Sequence, residues 1–324
     1  PVVRDLLARG IDERHLAVDS MLAAYRLDPA DTRSDLAELL TRFTGMELPA
    51  EGAPDGQLDL EGESVDPALT AGRAALALDR LVTPLRESMS AQGLLELHDE
   101  IEVPLVRVLA RMEEIGIGVD PGVLKTIRDE LTEETEALRA AVIDDAGRDF
   151  NVNSTKQLRE ILFEDLGLTP QKKTKTGFST DAQSLEKLRG EHPIIEHQLE
   201  YRELEKLRST YAEGLLAEVG PGDRIRATFN QTVARTGRLS SDAPNLHNIP
   251  VRSERGRVFR TAFVAGEGRK FLVADYDQIE LRCIAHLAED PGLVGAFDAG
   301  DDIHTATASR IFSMEPDEVG VEQR

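Results

Sequence analysis

A carboxylate at the end of a short apolar run is where residue type and spacing first suggest chemistry. The run is Phe271-Leu272-Val273-Ala274 and the carboxylate is Asp275. An apolar stretch of this kind predicts a buried strand that ends at Asp275. Beyond it the apolar positions change period: Ile279, Cys283, Ile284 and Leu287 fall on one face of a helix. Asp275 is thereby expected at the carboxyl end of a strand and close to a helix start. A carboxylate there can ligate a hard cation such as Mg²⁺, which takes few protein oxygens and leaves room for phosphates. It can also simply cap the helix, and spacing alone favours the cap.

The residue string carries more than its spacing. Asp275-Tyr276-Asp277-Gln278-Ile279-Glu280-Leu281-Arg282 closely resembles motif A of family A DNA polymerases, the bacterial DNA polymerase I group. Asp277 stands where the family pattern has Ser. Upstream, Thr236-Gly237-Arg238-Leu239-Ser240-Ser241 and Pro244-Asn245-Leu246-His247-Asn248-Ile249-Pro250 resemble the same family, with His247 in place of Gln. Three such strings in family order make a specific signal, and the likeness runs through essentially the whole chain, weakening towards the amino end. The resemblance implies an α+β chain with three parts. Residues 1–98 are expected to be a vestigial 3′–5′ exonuclease-like domain, mostly its helical part, with a loop over 47–67. Residues 99–222 are expected to be a helical thumb with connecting helices. Residues 223–324 are expected to be the first part of an antiparallel-sheet palm and the start of the fingers. The remaining fingers and palm are missing, so the chain reads as a fragment at both ends.

The function this resemblance implies is template-directed transfer of deoxynucleotides to a primer 3′ end, in replication or repair. Two Mg²⁺ ions are the implied cofactors, with Asp275 and the backbone carbonyl of Tyr276 as ligands. Glu280 is the implied gate against a 2′-hydroxyl, and Gln278 and Ile279 are implied nucleotide contacts. His304 lies in Asp301-Asp302-Ile303-His304-Thr305-Ala306-Thr307-Ala308, and Arg324 ends Val321-Glu322-Gln323-Arg324. Both strings are similar to triphosphate-binding segments of the family. For DNA, the resemblance implies Arg208, Ser209 and Thr210 as phosphate donors and Arg238 as a minor-groove probe. One Arg there can test pairing geometry, because correct pairs all present acceptors in that groove. Asn245, Asn248 and the shorter-reaching His247 are implied to act nearby, with Arg252 neutralising the backbone. Primer-template DNA and dNTPs are thus the expected partners of a monomer in the bacterial cytoplasm. The alternative is a non-catalytic DNA-binding fragment, or one half of a split polymerase. Proofreading is not expected, since Val2, Ala74 and Leu78 occupy the positions of its metal-binding and water-orienting groups.

Composition has to be reconciled with that reading. A formal charge of −22 at first sight argues against phosphate binding. Its distribution removes the objection: residues 1–100 carry 20 acids against 9 bases, whereas 201–260 carry 11 bases against 7 acids. The single cysteine, Cys283, excludes an internal disulfide and a Cys-based zinc site, and a cytosolic setting is the simplest inference. No apolar run approaches the length of a membrane span.

The elements that must position these residues are mainly helical. Residues 1–46 are expected to be helical on the apolar series Leu16, Met21, Leu22, Tyr25, Leu36, Leu39, Leu40 and Phe43. Residues 68–97 continue as helix, with Pro84 marking a break or a first turn. Asp120-Pro121 predicts a capped helix running to Gly147 on Leu124, Ile127, Leu131, Leu138 and Val142. Ser154 with Gln157, and Thr180 with Gln183, fit capping boxes. Between them Lys172-Lys173-Thr174-Lys175 is a basic tip, read equally well as a solvated loop or as a phosphate contact. Pro193 opens a helix with Ile195, Leu199, Leu204, Leu207, Tyr211 and Leu215 inward. After Gly220-Pro221-Gly222-Asp223 the chain alternates as a strand does, with Ile225, Ala227 and Phe229 on one face.

Overall fold

Aspartates set several of the helix starts. The computed structural model describes residues 2–31, 33–49, 67–175, 177–250, 253–320 and 323. Helix α1 spans Val2–Ala8, α2 Ser20–Leu27, α3 Leu36–Thr44 and α4 Pro67–Ala91. Asp19 caps α2 by accepting from the Met21 and Leu22 N–H groups, both at 3.0 Å, and Asp35 caps α3 through Glu38. Gly45 closes α3 in the left-handed region, where only glycine sits without strain. Ala23, Ala24, Leu39, Leu40, Ala77, Leu81, Leu85 and Met89 then form one core among α2, α3 and α4. Pro84 neither breaks nor opens α4, contrary to expectation. Leu81 and Leu85 on either side of it are fully buried, and that packing outweighs one missing helical hydrogen bond. Met21 is exposed rather than inward. Of the expected loop over 47–67, residues 50–66 lie outside the described residues.

Helix α5, Leu95–Leu97, leads through a π-helical turn at His98–Glu102 into α6, Val103–Ile115. Strand β1, Ile117–Val119, precedes α7, Pro121–Ala146, which starts at Asp120 and ends at Gly147 as its sequence predicts. Helix α8, Thr155–Glu160, is followed by strands β2, Lys173–Thr174, and β3, Gly177–Phe178. Helix α9, Ala182–Glu186, and α10, Pro193–Lys206, come next; α10 passes through a π-helical stretch, Leu207–Glu213, into α11, Gly214–Ala217. The capping expectations need correction. Ser154 does accept from the Gln157 N–H, but the Gln157 side chain accepts from Asn151 N–H instead of returning to Ser154. The second box is displaced by one residue: Asp181, not Thr180, caps α9 by accepting from Ser184 at 2.7 Å. A carboxylate outcompetes a hydroxyl at a helix amino end, and the Thr180 hydroxyl lies 3.5 Å from Arg202 Nη2 instead. Val142, Phe150, Leu158, Leu162, Leu185, Leu188, Ile195 and Tyr201 fill the core between these helices.

Strands β4, Val219–Gly220, and β5, Arg224–Ile225, join β1 in an antiparallel sheet ordered β4-β5-β1-β8. Its last strand, β8, Phe263–Val264, follows α12, Glu254–Val258. A Cβ on Gly118 would stand 2.7 Å from the Val264 carbonyl, so glycine is required where β8 pairs with β1. Separately, β6, Thr228–Asn230, pairs with β7, Ser240–Asp242, in register Thr228↔Asp242 and Asn230↔Ser240. Phe259, fully buried beside Tyr211, centres a core with Leu124, Leu131, Leu207 and Ile225. The architecture is thus mixed helical with small antiparallel sheets.

The chain divides into two compact units, Pro1–Gly266 and Glu267–Arg324. The second contains α13, Ile279–Ala288, α14, Pro291–Ala299, and α15, Ile303–Phe312. Here the main sequence expectation fails. Residues 271–274 form no strand, and Leu272 and Val273 are 92% and 90% exposed. A strand exists only when neighbours accept its backbone hydrogen bonds, and no described strand of this unit offers them. The apolar face expected on α13 is exposed too: Ile279, Cys283, Ile284 and Leu287 all face outward, and Ala285 alone is buried in that helix.

Candidate nucleic-acid interface and carboxylate segment

In the first unit the candidate DNA residues gather around β6 and β7. Ser241 is fully buried; its hydroxyl donates to the Pro244 carbonyl at 3.1 Å and accepts from Leu246 N–H at 3.4 Å. That clasp turns the chain so that Leu246 and Ile249 pack inward on the Phe259 core. The intervening turn, Leu246–Asn248, leaves His247 and Asn248 outward, with Asn245 exposed just ahead of it. The His247 ring lies 6.1 Å from that of Phe229 on β6. Asn230 donates to Asp242 across the strand pair at 3.0 Å. Arg238, exposed, stands two residues before β7, and Gly237 beside it has a φ of +80°. Arg238 therefore lies just before β7, and Asn245, His247 and Asn248 follow it, all four exposed. Arg252 lies outside the described residues.

The Arg208–Thr210 group sits in the π-helical stretch after α10. Arg208 donates to Glu205 at 2.8 and 2.9 Å and to Glu213 at 2.6 Å. The hydrogen bonds to Glu205 raise its already high pKa, so the guanidinium is charged at any working pH. Ser209 donates its hydroxyl to the Glu205 carbonyl, while Thr210 is exposed. At the basic tip, Lys172 reaches Asp181 at 3.4 Å and Thr174 donates to the Gly177 carbonyl at 2.7 Å. The Ser184 hydrogen bonds hold the Asp181 carboxyl well below the usual carboxylate range.

In the second unit Asp275 is exposed in irregular chain. It does not cap α13: the position before that helix is Gln278, in the left-handed region at φ 51°, with no side-chain cap. Tyr276 and Glu280 are exposed as well, and Ile279 opens the helix. Asp277 faces solvent. Its carbonyl accepts from Arg282 Nε at 3.1 Å, and its carboxylate lies 3.9 Å from the same guanidinium. Arg282 also stacks 4.4 Å from the Phe297 ring centroid. Asp302 caps α15 through His304 and Thr305, which places His304, exposed, on the first turn. Arg324 lies outside the described residues. Among the described residues no three His, Cys, Asp or Glu side chains converge as a metal site. Asp275 and the Tyr276 carbonyl are therefore not, by themselves, a site for two ions.

Sequence reading missed a buried polar cluster behind the β6–β7 pair. Tyr25 donates to the Ala234 carbonyl at 2.6 Å. Glu102 receives Arg26 on one carboxylate oxygen and Gln231 on the other, the latter at 2.8 Å. Glu113 accepts from the Phe229 N–H at 2.7 Å and from Arg4 at 3.4 Å. Buried Glu102 and Glu113 sit in helices whose apolar period suggested no such role.

The comparisons with known proteins decide the family. A model of DNA polymerase family A matches residues 122–324. This chain belongs to that family. It is 43% identical over 320 residues to DNA polymerase I of Geobacillus stearothermophilus, covering 98% of this chain and 36% of the relative. It is 45% identical over 312 residues to the thermostable DNA polymerase I of Thermus filiformis, covering 95% of this chain and 36% of the relative. Among solved family A structures, the POL domain of Pol1 from M. smegmatis, in complex with DNA primer-template and dNTP, matches with a TM-score of 0.87 at 39% identity. That match covers 98% of this chain and 53% of the other. The chain thus spans little more than a third of the length of its curated family A relatives. Among the described residues, no helix is long and apolar enough to cross a membrane.

Proposed function

We propose that this chain supplies the primer-template grip and one catalytic carboxylate of a template-directed DNA polymerase. The observation that carries this reading is the exposed set Arg238, Asn245, His247 and Asn248 on either side of β7, the last three on a turn held from behind by buried Ser241 and the Phe259 core. A set of neutral and cationic donors suits the acceptors of a minor groove and the phosphates beside it. The relative from M. smegmatis, whose structure holds primer-template and dNTP, supports the same direction. In this reading residues 1–98 are an exonuclease-like remnant, 99–222 a thumb and 223–324 the start of a palm. Arg208, Ser209, Thr210 and Arg252 contact the DNA backbone. Gln278, Ile279, Glu280, His304 and Arg324 face the incoming nucleotide, with Glu280 against its sugar. Mg²⁺ is the implied ion, and it neutralises charge on the triphosphate and primer oxygen when bound. Asp275 and the Tyr276 carbonyl are this chain's ligands for it. Among the described residues the donors for two ions are not assembled. The whole enzyme is read as a monomer acting in replication or repair in the bacterial cytosol.

A second reading, one half of a split polymerase, is favoured by the exposed run Phe271-Leu272-Val273, which calls for a covering strand. Fusing this chain to the remaining palm and fingers of a family A relative tests the main reading. Primer extension with Mg²⁺ and four dNTPs is expected, falling at least about 10³-fold in Asp275→Ala. Extension that survives Asp275→Ala overturns the assignment.

A further inference from the structure

We infer that Tyr25, Arg26 and Glu102, none of them near that exposed set in sequence, are positioning residues for Arg238. The inference rests on the DNA-grip reading above and adds residues to it. The segment from Gln231 to Gly237, between β6 and β7, carries no helix or strand; within it the Gly237 N–H donates to the Ala234 carbonyl at 3.1 Å. Further anchors come from elsewhere in the chain. At one end, the buried Gln231 amide donates to the Glu102 carboxylate at 2.8 Å and to the Glu102 carbonyl at 3.1 Å. In the middle, the Tyr25 hydroxyl donates to the Ala234 carbonyl at 2.6 Å. Arg26 Nη1 also stands near Gly237, one residue before Arg238, at 3.5 Å from where a Cβ would be, a proximity and not a bond.

These contacts act as one unit. Arg26 is bonded to Glu102 and lies 5.0 Å over the Tyr25 ring, so the three side chains fix one another. Tyr25 and Glu102 are both about 5% exposed. Buried, hydrogen-bonded polar groups resist rearrangement, because removing one partner strands another away from water. The end of α2 and the π-helical turn before α6 thus form a rigid seat for the segment. This gives the amino-terminal helices a task in DNA recognition that needs no exonuclease chemistry.

The test is a double-substitution cycle on the full chain, read by binding of labelled primer-template DNA, with backbone hydrogen exchange as a second readout. Tyr25→Phe removes only the hydroxyl and should weaken binding about fivefold. Arg238→Ala should weaken it about tenfold. If Tyr25 acts through Arg238, the double variant binds within about twofold of Arg238→Ala alone. Glu102→Gln should behave as Tyr25→Phe does, and in both single variants exchange should speed up over residues 231–238 while the α7 and α10 amides keep their protection. Additive losses of about fiftyfold, unchanged binding in Tyr25→Phe, or unchanged exchange over 231–238 each overturn the inference. An Arg238→Ala chain that binds as tightly as wild type overturns the DNA-grip reading itself, and that arm alone identifies it.

Discussion

The Arg238 strand pair and the Asp275 segment carry equally recognisable family strings, yet the structure supports them very differently. The first is backed by a buried serine clasp, a polar seat and an aromatic core. The second runs through irregular, exposed chain, with its apolar residues facing solvent. The contrast separates two kinds of site. The proposed DNA grip, made of side chains flanking a hydrogen-bonded strand pair, needs only the contacts this unit already makes. A carboxylate placed by a strand needs that strand's hydrogen-bonding neighbours, and the described residues of its unit provide none.

Core substitutions sharpen the contrast most strongly. Phe259→Ala should destabilise the first unit by about 3–5 kcal/mol, because it empties a fully buried aromatic site beside Tyr211. Leu272→Ser should change stability by less than about 0.5 kcal/mol, since that side chain is already in water. Urea unfolding of both variants checks this. A large loss in Leu272→Ser means the run is covered in solution, and the comparison breaks.

Acid gives a smaller effect on the seat's surroundings. Asp12 pairs with Arg107 of α6 at 2.7 and 2.8 Å, and chiefly that hydrogen bond holds its carboxyl well below the ordinary value of 3.8. A depressed folded-state pKa adds stability that is present above the unfolded value and is lost as pH falls towards the folded one. The stability gap between wild type and Asp12→Asn should therefore hold steady above pH 3.8 and shrink below it. A gap that stays constant into strong acid contradicts the pairing.

What the sequence made legible follows from where the determining contacts lie. Helix α7 could be read to its ends, because Asp120, Pro121 and Gly147 are local signals for a cap, a first turn and a left-handed stop. The outward placement of Asn245 and His247 around inward Leu246 also fits a motif readable along the chain. By contrast, Glu102 meets Gln231 across 129 residues, and no periodicity in either segment announces that meeting. Pro84 looked like a breaker because local propensity ignores the burial of Leu81 and Leu85. Residues 271–274 read as a strand because apolar content was legible, whereas the pairing partner that a strand requires is not a local property.

In the proposed function, this chain grips primer-template through its first unit, without help from Asp275. Titrating labelled primer-template with wild type, Arg238→Ala and Asp275→Ala over a series of salt concentrations tests it most directly. Wild-type affinity should fall steeply with salt, because cationic contacts displace counterions from the phosphates. Arg238→Ala should bind about tenfold more weakly and Asp275→Ala as wild type does. Salt-insensitive binding, or binding abolished by Asp275→Ala but untouched by Arg238→Ala, would contradict it.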